Sequence, residues 1–376
     1  MSYKNIYILG VGGSGMSSIA KYLKQKGDNV IGYDQRKSYV TNLLNQDGIK
    51  VVHTLDEITY KPESLYIYSS AIPIESDRFE DFYDKENVLS RPEYLKNLSE
   101  NHKIIGITGT HGKTSTTALL SHIFHFNNVN VSYLYGGITT FNGIGGHYGD
   151  PDQPLILETD EAFNTFEKIK ISDLLVLNVD SDHLDYFKNL DNYKDAFYKV
   201  MKNVTDNLVI NNDDLNIKSM KELKNPVSYG KDIAADFKVQ SPGTFIYENN
   251  KYEIKSDIIG DHFKSNMLGA IILAFLNGIE IKDSLNAIES FAGVKRRIEL
   301  IGISKGVLIY DDYGHHPTEM EATITALKQQ TESKLYVVFQ PHRYTRTMEY
   351  FNSFKDSLKL ADFAIVTDIY PAGESP

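Results

Sequence analysis

Gly106-Ile-Thr-Gly109-Thr110-His111-Gly112-Lys113-Thr114 sets three glycines, a lysine and a hydroxyl into nine consecutive residues, between an apolar run (Ile104 to Thr108) and a helical pattern. That combination suits a triphosphate. Bare backbone N–H groups at a helix start wrap phosphate oxygens, Lys113 reaches the β and γ oxygens, and the Thr114 hydroxyl takes a magnesium position. The spacing departs from the common P-loop, which needs glycine five residues before Gly112, where Ile107 stands. Magnesium on ATP needs further oxygens. Glu158-Thr-Asp160-Glu161 and Asp180-Ser-Asp182-His183-Leu-Asp185 each follow an apolar run whose end should open onto the same crevice. His183 could serve a second magnesium as a neutral imidazole.

A second glycine turn stands near the amino terminus. Gly10-Val-Gly12-Gly13-Ser14-Gly15 satisfies G-x-G-x-x-G directly after the run Asn5 to Leu9. Asp34 ends the next apolar run, where a carboxylate meets a ribose hydroxyl in dinucleotide sites. The turn indicates a nucleotide more clearly than it indicates NAD.

Short β-branched runs alternate with amphipathic segments along most of the 376 residues, the pattern of α/β folds with parallel sheets. Met16, Ile19, Ala20 and Leu23 recur at helical spacing after the first turn, and Ala118, Leu119, Ile123 and Phe124 do so after the second. Strands are expected at Asn5 to Leu9, Asn29 to Tyr33, Ile49 to Val52, Leu65 to Tyr68, Ile104 to Thr108, Leu155 to Leu157 and Leu174 to Asn178. A hairpin is expected over Phe245 to Ile254, and further strands at Val307 to Tyr310, Leu335 to Phe339 and Phe363 to Thr367, the last three separated by two helices. Three domains result: 1–98, 99–293 and 294–376.

Composition removes several functions. The net charge of −11, from 39 basic and 50 acidic residues, is spread along the chain and argues against a nucleic-acid partner. The absence of cysteine excludes disulfides, thiolate metal sites and a cysteine nucleophile. The longest apolar stretch, Met267 to Leu276, falls well short of the roughly 20 residues that span a bilayer. A soluble cytoplasmic protein without membrane insertion is expected.

With these residues in place, the chain resembles the Mur ligase family, and the Gly106-x-x-Gly109-Thr-His-Gly-Lys-Thr114 loop is among that family's most specific marks. Asn178-Val-Asp-Ser-Asp182-His183-Leu-Asp185 is similar to its metal segment, Gly293-Val-Lys-Arg-Arg297 to the arginine turn between its second and third domains, and Asp311-Asp312-Tyr313-Gly-His315-His-Pro-Thr-Glu319 to the start of its third domain. Gln340-Pro-His342-Arg343-Tyr-Thr-Arg346 and Tyr370-Pro-Ala-Gly-Glu374 complete a set that runs in order along nearly the whole chain. Tyr313-Gly-His-His-Pro-Thr-Glu319 and the first glycine turn resemble the branch that acts on UDP-N-acetylmuramate and L-alanine.

The resemblance implies an amide-forming ligase of peptidoglycan precursor synthesis. ATP phosphorylates the muramic acid carboxylate, the amine of L-alanine attacks the acyl phosphate, and ADP and phosphate leave. It implies three domains: a Rossmann-like first, a P-loop-like ATPase second and a Rossmann-like third. ATP contacts fall to Gly109, Thr110, His111, Gly112, Lys113, Thr114, Ser115, Asn266, Arg297 and Asp312, and metal ligation to Thr114, Glu158 and His183. Catalytic charge comes from Lys113, His183, Arg297, His342, Arg343 and Arg346.

The resemblance also moves the first glycine turn from NAD to the UDP-sugar, lined by Gly10, Gly12, Gly13, Ser14, Gly15, Asp34, Ser69, Ser70, Ala71 and His315. Two departures stand out. Phe263 replaces the first asparagine of the family's His-Asn-x-x-Asn segment, leaving Asn266, and Glu158-Thr-Asp-Glu161-Ala162 differs in its small positions from the usual Glu-Ala-Asp-Glu-Ser. A monomer or weak homodimer is expected. The third domain of this family normally continues past a Tyr-Pro-Ala-Gly-Glu segment, so a shortened third domain with an exposed sheet edge is also expected.

Competing readings are a murein tripeptide recycling ligase on the same sugar, an NAD-dependent dehydrogenase and a non-catalytic UDP-sugar binder. The dehydrogenase leaves Lys113-Thr114 and the acidic strand ends unexplained; the non-catalytic binder leaves Lys113, Glu158 and His183 without a use.

Overall fold

A computed structural model describes residues 3–162, 165–182, 184–220 and 223–375. The first unit is a five-stranded parallel sheet of β1 (Asn5–Leu9), β2 (Val30–Tyr33), β3 (Lys50–Val52), β4 (Ser64–Tyr68) and β5 (Val88–Ser90), in the order β3-β2-β1-β4-β5. Strand order reverses at β1. The glycine turn that follows it therefore opens into the crevice at the carboxyl edge, the usual ligand position of such sheets.

The second unit carries ten strands: β6 (Ile104–Thr108), β7 (Ser132–Thr139), β8 (Gly143–His147), β9 (Leu155–Glu158), β10 (Asp173–Val176), β11 (Leu208–Asn211), β12 (Val227–Gly230), β13 (Phe237–Ser241), β14 (Thr244–Tyr247) and β15 (Asn250–Glu253). Their order is β15-β14-β13-β12-β11-β10-β6-β9-β7-β8. β6 lies between β10 and β9, a second reversal point, and carries the second glycine turn at its end. Helices Lys113–Phe126 and Asp261–Leu276 cover one face, packing Leu119, Ile123, Ile271 and Leu273 against Ile105, Ile107 and Leu175. The stretch Met267 to Leu276 is thus part of a helix buried almost all round. Among the described residues, no helix is long and apolar enough to cross a membrane.

The first unit is fused to the second through a shared apolar cluster. Met16, Ile19, Ala20 and Leu23 of helix Ser14–Gln25 belong to the same cluster as Leu134 and Ile144 of the β7–β8 hairpin. Gly146 makes this approach possible, because a Cβ there would fall 2.1 Å from the Ser18 carbonyl oxygen. Lys21, buried at the contact, donates to the Asn142 and Ile144 carbonyls. The sequence reading placed no strand between 127 and 154. The six glycines of that stretch depress strand propensity, while close contact with the helix at Gly146 demands a residue without a Cβ there.

In the third unit, β16 (Glu299–Ser304) pairs antiparallel with β17 (Val307–Asp311), and β18 (Tyr336–Phe339) pairs in parallel with β19 (Phe363–Val366). The three strands expected there therefore do not share one sheet; the first pairs with a partner the sequence reading had not identified. Three helices, Pro317–Gln329, Tyr344–Glu349 and Phe351–Leu358, stand where two were expected, with a break at Tyr350. Met320, Phe339 and Phe354 form its small core. Val338 and Ile365 remain exposed.

Candidate active site

The second glycine turn is a cradle whose shape depends on backbone freedom. Gly109 has φ +142° and Gly112 has φ +84°, both in the region that favours glycine, and a Cβ on Gly112 would stand 2.4 Å from the Asn266 amide nitrogen. Buried Asn266 is thereby placed against the loop. The loop is also tied to the chain beyond β10: the Thr110 N–H donates to the Asn178 carbonyl, and the His111 N–H to Asn178 Oδ1 at 2.8 Å. Thr110 Oγ1 accepts from the Asp180 N–H at 2.8 Å. Ser115 follows on the first buried turn of helix Lys113–Phe126.

Lys113 Nζ donates to the Gly109 carbonyl at 2.6 Å and the Thr110 carbonyl at 3.1 Å, and lies 2.8 Å from Glu161 Oε2. Burial opposes the charged form, but the Glu161 and Asp160 carboxylates outweigh it and hold the ammonium above its ordinary pKa. Thr114 Oγ1 donates to Glu158 Oε1 at 2.7 Å, and the Gly136 N–H to Glu158 Oε2 at 2.6 Å. Two expected metal ligands are thus neighbours. The third, His183, lies outside the described residues.

The third unit closes over this loop through charge. His111 Nε2 is 3.1 Å from Asp180 Oδ2, and its Nδ1 is 3.2 Å from Glu319 Oε1, a residue 208 positions away. Burial would lower the imidazole pKa, yet hydrogen bonds to Asp180 and Glu319 outweigh it and raise it to about 9. Both carboxylates are held well below their ordinary range, chiefly by the hydrogen bond to His111 against the cost of burial. Thr318 Oγ1 donates to Asp180 Oδ2 at 2.7 Å, His316 Nε2 lies 3.1 Å from the Ser181 carbonyl, and the Tyr350 hydroxyl donates to the same carbonyl at 3.0 Å. Arg297 approaches Glu319 at 3.8 Å. Glu319 had been noted only as a motif letter.

Two cavities meet at Arg297. One, of about 430 Å³, is lined by His111, Gly112, Ser115, Asn266, Asp312 and Arg297 among others. The other, about 400 Å³, joins Gly12 and Ser14 of the first turn to Thr114, Glu158, Arg297 and Tyr313. A third, of about 250 Å³, extends along Gly13, Ser14, Gly15, Ser69 and Ser70 to Arg91. The Arg91 guanidinium lies where a Cβ on Gly15 would be 2.8 Å from Nε. Gly10 has φ +78° beside Ser69, whose Oγ accepts from the Ala71 N–H at 3.3 Å.

Several expected ligand contacts have other partners here. Asp34 Oδ2 accepts from the Gly12 N–H at 2.9 Å and Oδ1 from the Arg36 N–H at 3.0 Å, so the carboxylate holds the first turn in shape. Asp312 accepts from the Ile298 and Gly314 N–H groups at 2.8 and 2.7 Å, fixing the turn after Arg297. Arg343 lies 2.6 Å from Glu374. Arg346, expected to supply catalytic charge, is buried with Nη2 3.2 Å from Asp182, because the third unit docks that helix onto the segment after β10. His315 and His342, ring centres 6.2 Å apart, are both lowered in pKa by burial.

Comparison with known proteins agrees along the whole chain. Residues 5–103 match the Mur ligase family catalytic domain, 107–274 the Mur ligase middle domain and 296–376 the Mur ligase glutamate ligase domain. A UDP-N-acetylmuramate–L-alanine ligase of Dictyoglomus turgidum is 34% identical, over 100% of this chain and 84% of its own length. One from Caldicellulosiruptor saccharolyticus is 36% identical, over 98% and 84%. The crystal structure of a UDP-N-acetylmuramate–alanine ligase from Thermotoga maritima superposes with a TM-score of 0.82 at 26% identity, covering 97% of this chain and 85% of that one. A murein peptide ligase from Psychrobacter arcticus shares the fold, with a TM-score of 0.74 at 23% identity. With its glycine loop, acidic strand end and arginine turn converging on one cleft, and with such relatives over its full length, this chain belongs to the Mur ligase family.

Proposed function

We propose that the protein joins L-alanine to the carboxylate of UDP-N-acetylmuramate, driven by ATP. The observation that carries this reading is the cleft that runs from Gly12 and Ser14, past Thr114 and Glu158, to Arg297, which also lines the cavity beside the Lys113 loop. A sugar held at the first turn can present its carboxylate to a triphosphate held at the second. Arg91 is the cation nearest the diphosphate end of that path.

A carboxylate and an amine do not condense at useful rates until one carboxylate oxygen becomes a good leaving group. A carboxylate oxygen of the sugar bonds to the γ phosphorus and ADP departs, giving the acyl phosphate. The amine nitrogen then bonds to the carbonyl carbon, phosphate leaves and the nitrogen loses a proton. Lys113 and Arg297 supply fixed positive charge to the transferring phosphoryl group, and the loop N–H groups orient it. The Thr114 hydroxyl and the Glu158 carboxylate, adjacent at 2.7 Å, are the hard oxygen donors magnesium prefers. Bound there, magnesium would neutralise phosphate charge. On the third-unit side, burial lowers the His315 and His342 imidazoles below their ordinary pKa and so favours the unprotonated form that can take the amine's proton.

Phosphate release from ATP, measured with UDP-N-acetylmuramate plus L-alanine, L-serine, glycine or L-Ala-D-Glu-meso-diaminopimelate in turn, tests the reading. Release is expected to be fastest with L-alanine. Preference for the tripeptide assigns the chain to peptide recycling, and no acceptor-dependent release refutes ligation. Glu158→Gln is expected to raise the magnesium concentration needed for half-maximal turnover about tenfold or more, the usual cost of weakening a metal site. An unchanged magnesium requirement would remove Glu158 from the metal site.

A further inference from the structure

His111, Asp180 and His316 bring two imidazoles and a carboxylate together where the glycine loop meets the third unit. One donor atom from each lies within 4.8 Å of the other two, and His316 is buried. We propose that these residues form a site for a transition-metal cation of the zinc class, separate from the magnesium position at Thr114 and Glu158, and that its occupancy pins the third unit against the loop.

The donors are oriented as metal-bound residues are. His316 Nε2 donates to the Ser181 carbonyl at 3.1 Å, leaving the Nδ1 lone pair directed inward, 4.0 Å from Asp180 Oδ2. The contact at that nitrogen is a long 3.3 Å bond from the Thr318 N–H, which an ion would displace. His111 Nδ1 faces the Glu319 carboxylate at 3.2 Å, turning Nε2 toward Asp180 Oδ2 at 3.1 Å. The Asp180 oxygen is itself fixed by the Thr318 hydroxyl at 2.7 Å. Each imidazole thus has one nitrogen held by an oxygen and the other facing the same Asp180 oxygen, at 3.1 and 4.0 Å, the outer-shell arrangement that orients metal-bound histidines; a cation entering there displaces the proton that His111 Nε2 shares with Asp180.

Chemistry selects the ion. Two nitrogens and one oxygen suit zinc or cobalt, whereas magnesium prefers oxygen and keeps its waters. Donors about 3.3 Å apart satisfy bonds of roughly 2.0–2.1 Å, so the site needs only about 1 Å of inward movement. Three protein ligands leave a fourth position for water. The loop supplies His111, the segment after β10 supplies Asp180, and the start of helix Pro317–Gln329 supplies His316, so one ion would tie both units of the cleft together. A ligase that must open to exchange substrates would then be slowed by zinc.

The test is a titration of the protein with zinc, and separately with cobalt for its absorption spectrum, in excess magnesium to fill the oxygen sites. One equivalent should bind, with the intense visible bands of four-coordinate cobalt, and Glu158→Gln should bind it equally well. His316→Gln should weaken binding at least tenfold, and Glu319→Gln, which touches the ion only through His111, about 10- to 100-fold. Binding that is lost in Glu158→Gln but kept in His316→Gln overturns the proposal, as does the absence of saturable binding. UDP-N-acetylmuramate binding by calorimetry shows that each variant is folded, so a loss of zinc binding cannot be mistaken for unfolding. Failure of the ligase reading would appear separately, as missing phosphate release with zinc binding intact.

Discussion

Lys113→Ala lowers ATP-dependent turnover at least about 1,000-fold and leaves UDP-N-acetylmuramate binding within a few-fold of the unmodified protein. The size follows from removing a fixed positive charge in a site where one preorganised donor is worth about 100- to 1,000-fold, at the step where phosphoryl charge is greatest. The division of labour follows from position. Lys113 Nζ sits among the Gly109 and Thr110 carbonyls and Glu161, whereas the first glycine turn stands on another sheet.

The substitution also removes the cation beside the buried Glu161, which costs stability on its own account. Lys113→Ala combined with Glu161→Gln separates the two effects, because the amide needs no counter-charge. The double variant should recover thermal stability without recovering turnover. Phosphate release measures the first quantity and calorimetry with the UDP-sugar the second. Lost sugar binding in a folded variant would refute the assignment of the two turns to two substrates.

Gly146→Val lowers the thermal unfolding midpoint by about 5 °C or more and raises the UDP-sugar concentration needed for half-maximal turnover about tenfold. Even a methyl group there would fall 2.1 Å from the Ser18 carbonyl oxygen and 2.8 Å from the Ser18 carbonyl carbon. Both are backbone atoms inside a helix, so the helix and the β7–β8 hairpin must separate. Overpacking of this kind costs about 1–3 kcal/mol or more, with roughly 2–4 °C lost per kcal/mol in chains of 150–250 residues. Ser14 of the same helix lines the cavities given to the UDP-sugar, which links stability to affinity. Gly302→Val is the control: nothing lies within 4 Å of a Cβ there, and the midpoint should hardly move. Equal midpoints for the two variants would show that the close approach carries no strain.

The two glycine turns, the acidic strand end and the chain order of the domains were legible in the sequence because each is a local device. A phosphate loop needs glycine at particular φ values and a lysine at the following helix start, and that need is written in consecutive letters. Thr114 and Glu158 could be paired from sequence alone because β6 and β9, once recognised as buried parallel strands, must end on the same edge.

Partners set by domain contact were not legible. Nothing in the spacing of Arg346 says that it lies against Asp182 rather than a substrate, and nothing in His111 says that its second nitrogen meets Glu319. Asp34 and Asp312, placed at ligand positions by the sequence, also accept N–H groups from a nearby turn, a role that position alone does not reveal. The glycine-rich β7–β8 hairpin reads as loop because glycine weakens strand propensity; only a helix pressed against it explains why glycine is required. Sequence by itself therefore determined which backbone can hold phosphate and which strands carry acid. The packing of one unit on another decided which charges stay open to a substrate and which neutralise each other, because that choice depends on distances that close only when the sheets dock.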